Sequence, residues 1–438
     1  MGTRVTLRQV TNTLTFSVIC LLSSSVFAQG TEVGNVNIEA SLKLETGWDS
    51  NLFSSSDSDA REPGLLLNIT PAIRVTTIDP ELVALDSGVG FNWGQYLGDE
   101  DERGQSGESI AFDLALQFNP NGVISITPSD QLTRATRAGF SRGSEPFQST
   151  DNTFELALGF HPGGALRTSR IGFTAELAGF HRLWRYDELS SLNKNGIGGR
   201  LELKYNFLPK TGAFLSANIM SLRNEQNQPN FGSVVVANAD STPFRITAGL
   251  TGLLLPRMSI LVAAGYGGSS YRAGSVGGAS QGALPANIGT YLLQADLTAH
   301  VNPNTTFGLG YLHNYDEGVV ENGYEFHRAS LGGDSSLGML SFGAEAYLQR
   351  NLFADTVDNT VGGETCSGDR RQETAVGGDA NVGLNPLDWF STGIRYSVEN
   401  RDSNCQTVSA ADVNGQIAPA ADAGYIRHRA FLFVEFRN

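Results

Sequence analysis

The chain has 438 residues, 51 of them glycine, with 17% charged residues and a formal net charge of −15. The first 28 residues carry Arg4 and Arg8 and no acid, so their removal takes the charge to −17. A balance this acidic argues against nucleic acid as a partner, and so few charges fit neither an acidic disordered chain nor an ordinary soluble enzyme.

Residues 1–28 read as a signal peptide: Arg4 and Arg8 open it, Leu14 to Leu22 form a short apolar run, and Val26 and Ala28 precede a cut at Gln29. Cys20 is preceded by Ile19, where a lipoprotein signal has a small residue. Beyond the signal no segment approaches the roughly 20 apolar residues of a membrane helix, which excludes a helical membrane protein.

From Val36 to Trp48 the even positions read Val, Ile, Ala, Leu, Leu, Thr, Trp, and the odd ones Asn37, Glu39, Ser41, Lys43, Glu45, Gly47. That is period 2, the signature of a strand with one apolar and one polar face. The pattern returns at Val83 to Trp93, Ile110 to Phe118, Phe154 to Phe160 and Leu201 to Phe207. It returns again at Tyr291 to Val301, Leu340 to Leu348, Phe390 to Val398 and Ala430 to Phe436. Val123 to Thr133 carries Pro128 and mixes its faces, and Tyr324 to Leu331 is short and polar; the turn spacing makes strands of both.

Proline marks the turns: Asp79-Pro80, Asn119-Pro120, His161-Pro162, Leu208-Pro209, Leu255-Pro256, Asn302-Pro303 and Asn385-Pro386, with Gly332-Gly333-Asp334 filling the one gap. Eight short turns and nine longer loops give 18 strands. The expected fold is all-β: a transmembrane antiparallel up-and-down β-barrel over residues 29–438, with short periplasmic turns, longer extracellular loops and a bacterial outer-membrane location. Alternation alone leaves a soluble propeller or sandwich open. The signal peptide, the unequal loop lengths, and Trp48, Trp93, Trp184 and Trp389 near strand ends favour the membrane.

The longer loops have the composition of an outer surface, as in Ser54 to Asp59, Asp99 to Glu102, Arg223 to Thr242 and Arg272 to Asn287. Cys366 and Cys405 fall in the last two long loops on one side; an exported chain with two cysteines most simply makes one disulfide, and two unpaired thiols are the alternative.

Little of this points to chemistry. Gly139 to Gly143 and Gly278 to Gly282 match G-x-S-x-G, but neither precedes the helix a nucleophile elbow needs. The histidines, His161, His181, His300, His313, His327 and His428, show no ligand spacing; His300 lies beside Asp296 on a polar face. Asp49, Asp57, Asp59 and Asp99 to Glu102 offer oxygen ligands without the spacing of a calcium loop. No metal, no cofactor and no enzymatic activity is expected.

The polar faces should line a lumen: Glu39, Lys43, Glu45, Arg74, Asp86, Asp113, Arg200, Glu202, Lys204, Arg245, Asp296, Glu345, Arg395 and Glu399. Both signs mix along single strands, so the wall would pass neutral, hydroxyl-rich solutes rather than one ion sign. The same charges could equally pair and only hold the barrel open.

Gly47-Trp48-Asp49-Ser50-Asn51-Leu52-Phe53 resembles the aromatic-Asp-(Ser/Asp)-Asn-(Val/Leu)-Phe signature of outer-membrane β-barrel porins often found with exopolysaccharide gene clusters; Trp48 stands where Tyr is commoner. The acidic loop that follows and the run Leu65 to Val75 extend the likeness over the first part of the mature chain. The resemblance implies a barrel of about 18 strands that helps a secreted polysaccharide cross the outer membrane. Its partners would be outer-membrane lipid and lipopolysaccharide, the polysaccharide, and periplasmic or inner-membrane export proteins. A general or sugar-selective diffusion porin is the alternative, and a membrane-embedded hydrolase a third. The chain departs from the usual aromatic end of such barrels, since Arg437-Asn438 follows Phe436.

Overall fold

The structure is a computed structural model. It describes residues 31–51, 63–78, 80–98, 106–137, 147–163, 170–184, 193–224, 230–231, 234–235, 240–272, 287–316, 324–353, 364–366, 372–407 and 424–438. The signal segment, both G-x-S-x-G stretches, Asp57, Asp59 and Asp99 to Glu102 lie outside the described residues.

Eighteen long strands of 12 to 16 residues make the wall. They are β1 Val36–Asp49, β2 Gly64–Thr77, β3 Val83–Leu97, β4 Gly107–Phe118, β5 Ile124–Arg137, β6 Phe147–Phe160, β7 Ile171–Trp184, β8 Lys194–Leu208 and β9 Thr211–Asn224. The second half is β10 Asp240–Leu255, β11 Met258–Arg272, β12 Ile288–Asn302, β13 Thr305–Asp316, β14 Tyr324–Leu337, β15 Leu340–Phe353, β16 Gln372–Leu387, β17 Phe390–Ser403 and β18 Tyr425–Arg437. Each pairs antiparallel with the next, and β18 pairs with β1 from Ser41↔Arg437 to Asp49↔Arg429, which closes the barrel. A strand needs only about 9–11 tilted residues to span a bilayer, so these project beyond it.

Two-residue connections at 209–210, 256–257, 303–304, 338–339 and 388–389 lie at the end that carries both termini, while the opposite end carries loops of up to 21 residues. The connection 161–170 is the exception on the short side. Four of the proline marks fall in these connections, Pro80 and Pro120 in the five-residue connections 78–82 and 119–123 of the same end, and Pro386 just before the turn at 388–389, beside a register shift. The glycine expectation is corrected: Gly332, Gly333 and Asp334 are inside β14, and the turn is Gly338-Met339, where Gly338 supplies φ of 61°. Outward Leu331 and Leu337 carry the alternation through the glycines, and the left-handed Gly338 turns the chain.

Burial is inverted relative to a soluble protein. Leu201, Ile219, Ile246, Leu309, Leu331, Leu348, Ile394 and Leu432 are among many large apolar side chains left exposed, while few described apolar residues are buried. Register places them on one face, outside a closed wall, in a belt that hydrocarbon rather than water must cover. Trp48 and Trp93 lie on this face toward the loop end; Trp389 lies in the last short turn, stacked on Phe436 with centroids 6.4 Å apart. The side chain of Trp184 lies outside the described ones. A closed barrel with an apolar outer belt and aromatic rims is a bacterial outer-membrane barrel.

The C-terminal extension belongs to the wall. Arg437 N–H donates to Trp389 O (2.8 Å), and Asn438 exchanges hydrogen bonds with the Ala40 backbone, one of them through its side-chain oxygen. Beyond that point Thr31–Val33 folds back along Val36 to Ile38 and continues the edge that β18 leaves.

Candidate functional site

The inner face is built by the same alternation that builds the belt. In β1 the odd positions face inward, and cross-strand register carries that face around the ring: Arg74 opposite Glu39, Asp86 opposite Thr76, Asp113 opposite Gly88, Glu202 opposite Ser216, Glu399 opposite Gly377. Glu39, Lys43, Glu45, Arg74, Asp86, Asp113, Arg200, Glu202, Lys204, Arg245, Asp296, Glu345, Arg395 and Glu399 all fall on the face opposite the belt.

Most of these charges meet an opposite charge in the wall. Arg74 Nη2 donates to Asp86 Oδ2 (2.6 Å), Arg200 Nη2 to Glu202 Oε2 (2.6 Å), and Arg328 reaches Glu345 Oε1 at 3.3 Å. Glu45 Oε1 sits within ion-pair distance of both Lys43 (2.9 Å) and Arg395 (3.2 Å), without hydrogen-bond geometry to either. Glu399 accepts from Tyr347, Tyr425 and Arg401 at once.

A second layer is aromatic. Phe431 lies flat on Gly47 and Phe433 on Gly393, so closely that a Cβ on either glycine would stand under 3 Å from the ring. Arg395 and Lys43 then cover those two rings, 5.0 and 5.4 Å from their centroids. Tyr347 lies on Gly377 with the Arg328 guanidinium 4.4 Å from its ring. Glycine, ring and cation stack inward from the backbone, so each ring is covered from both sides and the cation faces the lumen.

Two local features shape the lumen. Between β12 and β16 a recess of about 550 Å³ is lined by Asp296, Asp334, Glu345, Asp379 and Asn381, with Gly310 and Gly343 beneath the acids. Toward the loop end, Tyr315 of β13 reaches across to β10: its hydroxyl donates to Phe244 O (2.8 Å), and Arg245 Nη2 donates to Tyr315 O (2.8 Å). Its ring packs with Ile288 and Leu292 in a buried apolar cluster.

The Trp48-Asp49-Ser50-Asn51 motif sits at the closure. Asp49 accepts twice from Arg427 Nε (3.0 and 2.9 Å) and also from Arg427 Nη2. Ser50 N–H donates to His428 O, and His428 N–H donates back to Ser50 Oγ, both at 2.8 Å. Asn51, fully buried, donates from Nδ2 to Ile426 O. The motif therefore stitches the first strand to the last. Asp49 is engaged by Arg427, which removes it from the acids available to calcium; its companions in that expectation lie outside the described residues.

Sequence spacing missed Arg427, Glu373 and Asp379, on strands whose inner faces were not read, Arg401, two residues past Glu399 on β17, and a histidine pair. His313 and His327 stand opposite each other on β13 and β14, on the outer face, with rings stacked 4.2 Å apart. Among the described residues no three His, Cys, Asp or Glu side chains are placed to hold a metal ion. Cys366 and Cys405 face each other in the backbone register of a short antiparallel pair, Glu364–Cys366 with Cys405–Thr407; their side chains lie outside the described ones.

No family model matches the sequence, and no curated protein does. Solved structures match in fold. The iron transporter FrpB of Neisseria meningitidis (F5-1 variant, apoprotein form) aligns at 7% identity and TM-score 0.49, over 93% of this chain and 82% of that one. OccK2 (OpdF) of Pseudomonas aeruginosa, in complex with glucuronate, aligns at 10% identity and TM-score 0.48, over 91% and 98%. OccAB4 of Acinetobacter baumannii aligns at 11% identity and TM-score 0.46, over 94% and 99%. At these values the likeness is one of fold alone.

Proposed function

We propose that this chain is a passive, non-enzymatic channel for hydroxyl-rich carbohydrate, and that its physiological cargo is a secreted polysaccharide. The observation that carries the reading is the pairing of the inner wall. Charges of both signs neutralise one another within the wall, as in Arg74–Asp86, Arg200–Glu202 and Lys43–Glu45–Arg395. A sugar chain offers hydroxyls, and this wall offers carboxylate acceptors and guanidinium donors side by side. The likeness of Gly47 to Phe53 to porins found with exopolysaccharide gene clusters supports a polymeric cargo. Inner-membrane or periplasmic export proteins would supply the driving force.

The test is a deletion strain scored for surface polysaccharide: loss on deletion, restored by the intact gene, is expected. Wild-type polysaccharide with reduced uptake of small sugars would contradict export and favour a sugar-selective diffusion porin, a second reading that the same paired wall also suits.

A further inference from the structure

Among the described residues one carboxylate stands midway along the outer belt. Count six residues along the outer face from its last residue at the short-turn end: β3, β4, β6, β7 and β8 carry Val89, Phe112, Phe154, Leu177 and Leu201. At that depth β5 carries Asp130, flanked on the same face by Leu114 and Phe154. Among the described residues its carboxylate takes no ion pair or hydrogen bond. One outward position further up the neighbouring strand stands Asn152, whose Nδ2 donates no hydrogen bond among the described residues. It is paired across the ladder with Leu132 on one side and His181 on the other, and His181 is already taken by Asn195. The ladder is also interrupted here. Pro128 has no N–H, and the ladder between β4 and β5 lapses at Leu116 and Gln117.

A carboxylate facing hydrocarbon is costly, and polar groups at such depth are met by protein. An acceptor-only Asp and an amide with two donors on one face suit each other, but within one chain they do not meet. Two copies related by a twofold axis along the membrane normal keep every residue at its own depth. Facing surfaces exchange left and right, so an axis between β5 and β6 sets β5 of one copy against β6 of the other. Asp130 then faces Asn152 of the partner subunit, about 5 Å higher along tilted strands, a step the two side chains can bridge.

We propose that the outer face of β4–β6 is where a second copy of this chain packs in the membrane. Two reciprocal Asp130–Asn152 hydrogen bonds lie at its centre, with Phe112, Leu114, Leu132 and Phe154 around them. The contact depends on no assumption about cargo.

The test uses the full-length protein in lipid nanodiscs and planar membranes. Wild-type protein is expected to form a dimer. Asp130→Cys and Asn152→Cys variants with different tags, mixed in one membrane and oxidised, are expected to give a cross-linked heterodimer, which a Leu331→Cys control on a distant strand does not. Asp130→Leu, which removes the lipid-facing charge, should fold at least as well, as its heat-modifiable gel band reports. It should raise the dimer dissociation constant at least about tenfold. A wild-type protein that stays monomeric at every concentration in lipid overturns the proposal. So does an Asp130→Leu dimer as tight as wild type.

Discussion

Asp49 and Arg427 show how one ion pair can set a whole fold's integrity. They are 378 residues apart in sequence and lie on the two strands that must find each other last. Asp49 is nearly inaccessible to solvent, so its removal leaves a guanidinium and the Asn51 turn without their acceptor. We expect Asp49→Ala to cost about 3 kcal/mol of stability, read as a lower urea midpoint in detergent or lipid, with Asp49→Asn recovering part of it. The motif containing Asp49 could be picked out in the sequence as a short run of residues. Its local role was not, because nothing in Trp48-Asp49-Ser50-Asn51 names Arg427, His428 or Ile426 as its counterparts. The His313–His327 stack was hidden for the same reason: two residues on neighbouring strands share no sequence spacing that marks them as a pair.

At the scale of elements, the high glycine content has a local cause. Gly47, Gly377 and Gly393 each lie under an aromatic ring from an adjacent strand, so the ring covers bare backbone and stays out of the lumen. In Gly393→Val the new side chain would begin 2.3 Å from Val382 O and 2.8 Å from the Phe433 ring. A cost of about 1–3 kcal/mol is expected, measurable by urea unfolding, together with a lower channel conductance as Phe433 is pushed inward. Strand alternation was legible because one face is uniformly apolar, and the turns because proline cannot continue a ladder. Two elements read poorly for identifiable reasons. β14 runs through Gly332 and Gly333, which look like a turn, while the chain turns at Gly338, in the left-handed region. β5 mixes its faces because Asp130 stands in the belt and Pro128 breaks a rung.

For the whole molecule, counting hairpins yields the 18 strands and their connectivity, but period 2 is symmetric between a soluble barrel and a membrane one. Burial decides it, since the large apolar side chains are the exposed ones. The inner face follows by register, and with it the ion pairs of the wall. Cargo is the least legible property, because a channel wall that meets its solute through many weak contacts leaves no motif. The central claim, a passive polar channel without strong charge selectivity, is tested most directly by reconstituting the purified protein alone in a planar bilayer under a potassium chloride gradient. A steady conductance with a reversal potential near zero is predicted. No conductance, or a reversal potential at the limit for one ion sign, would contradict it.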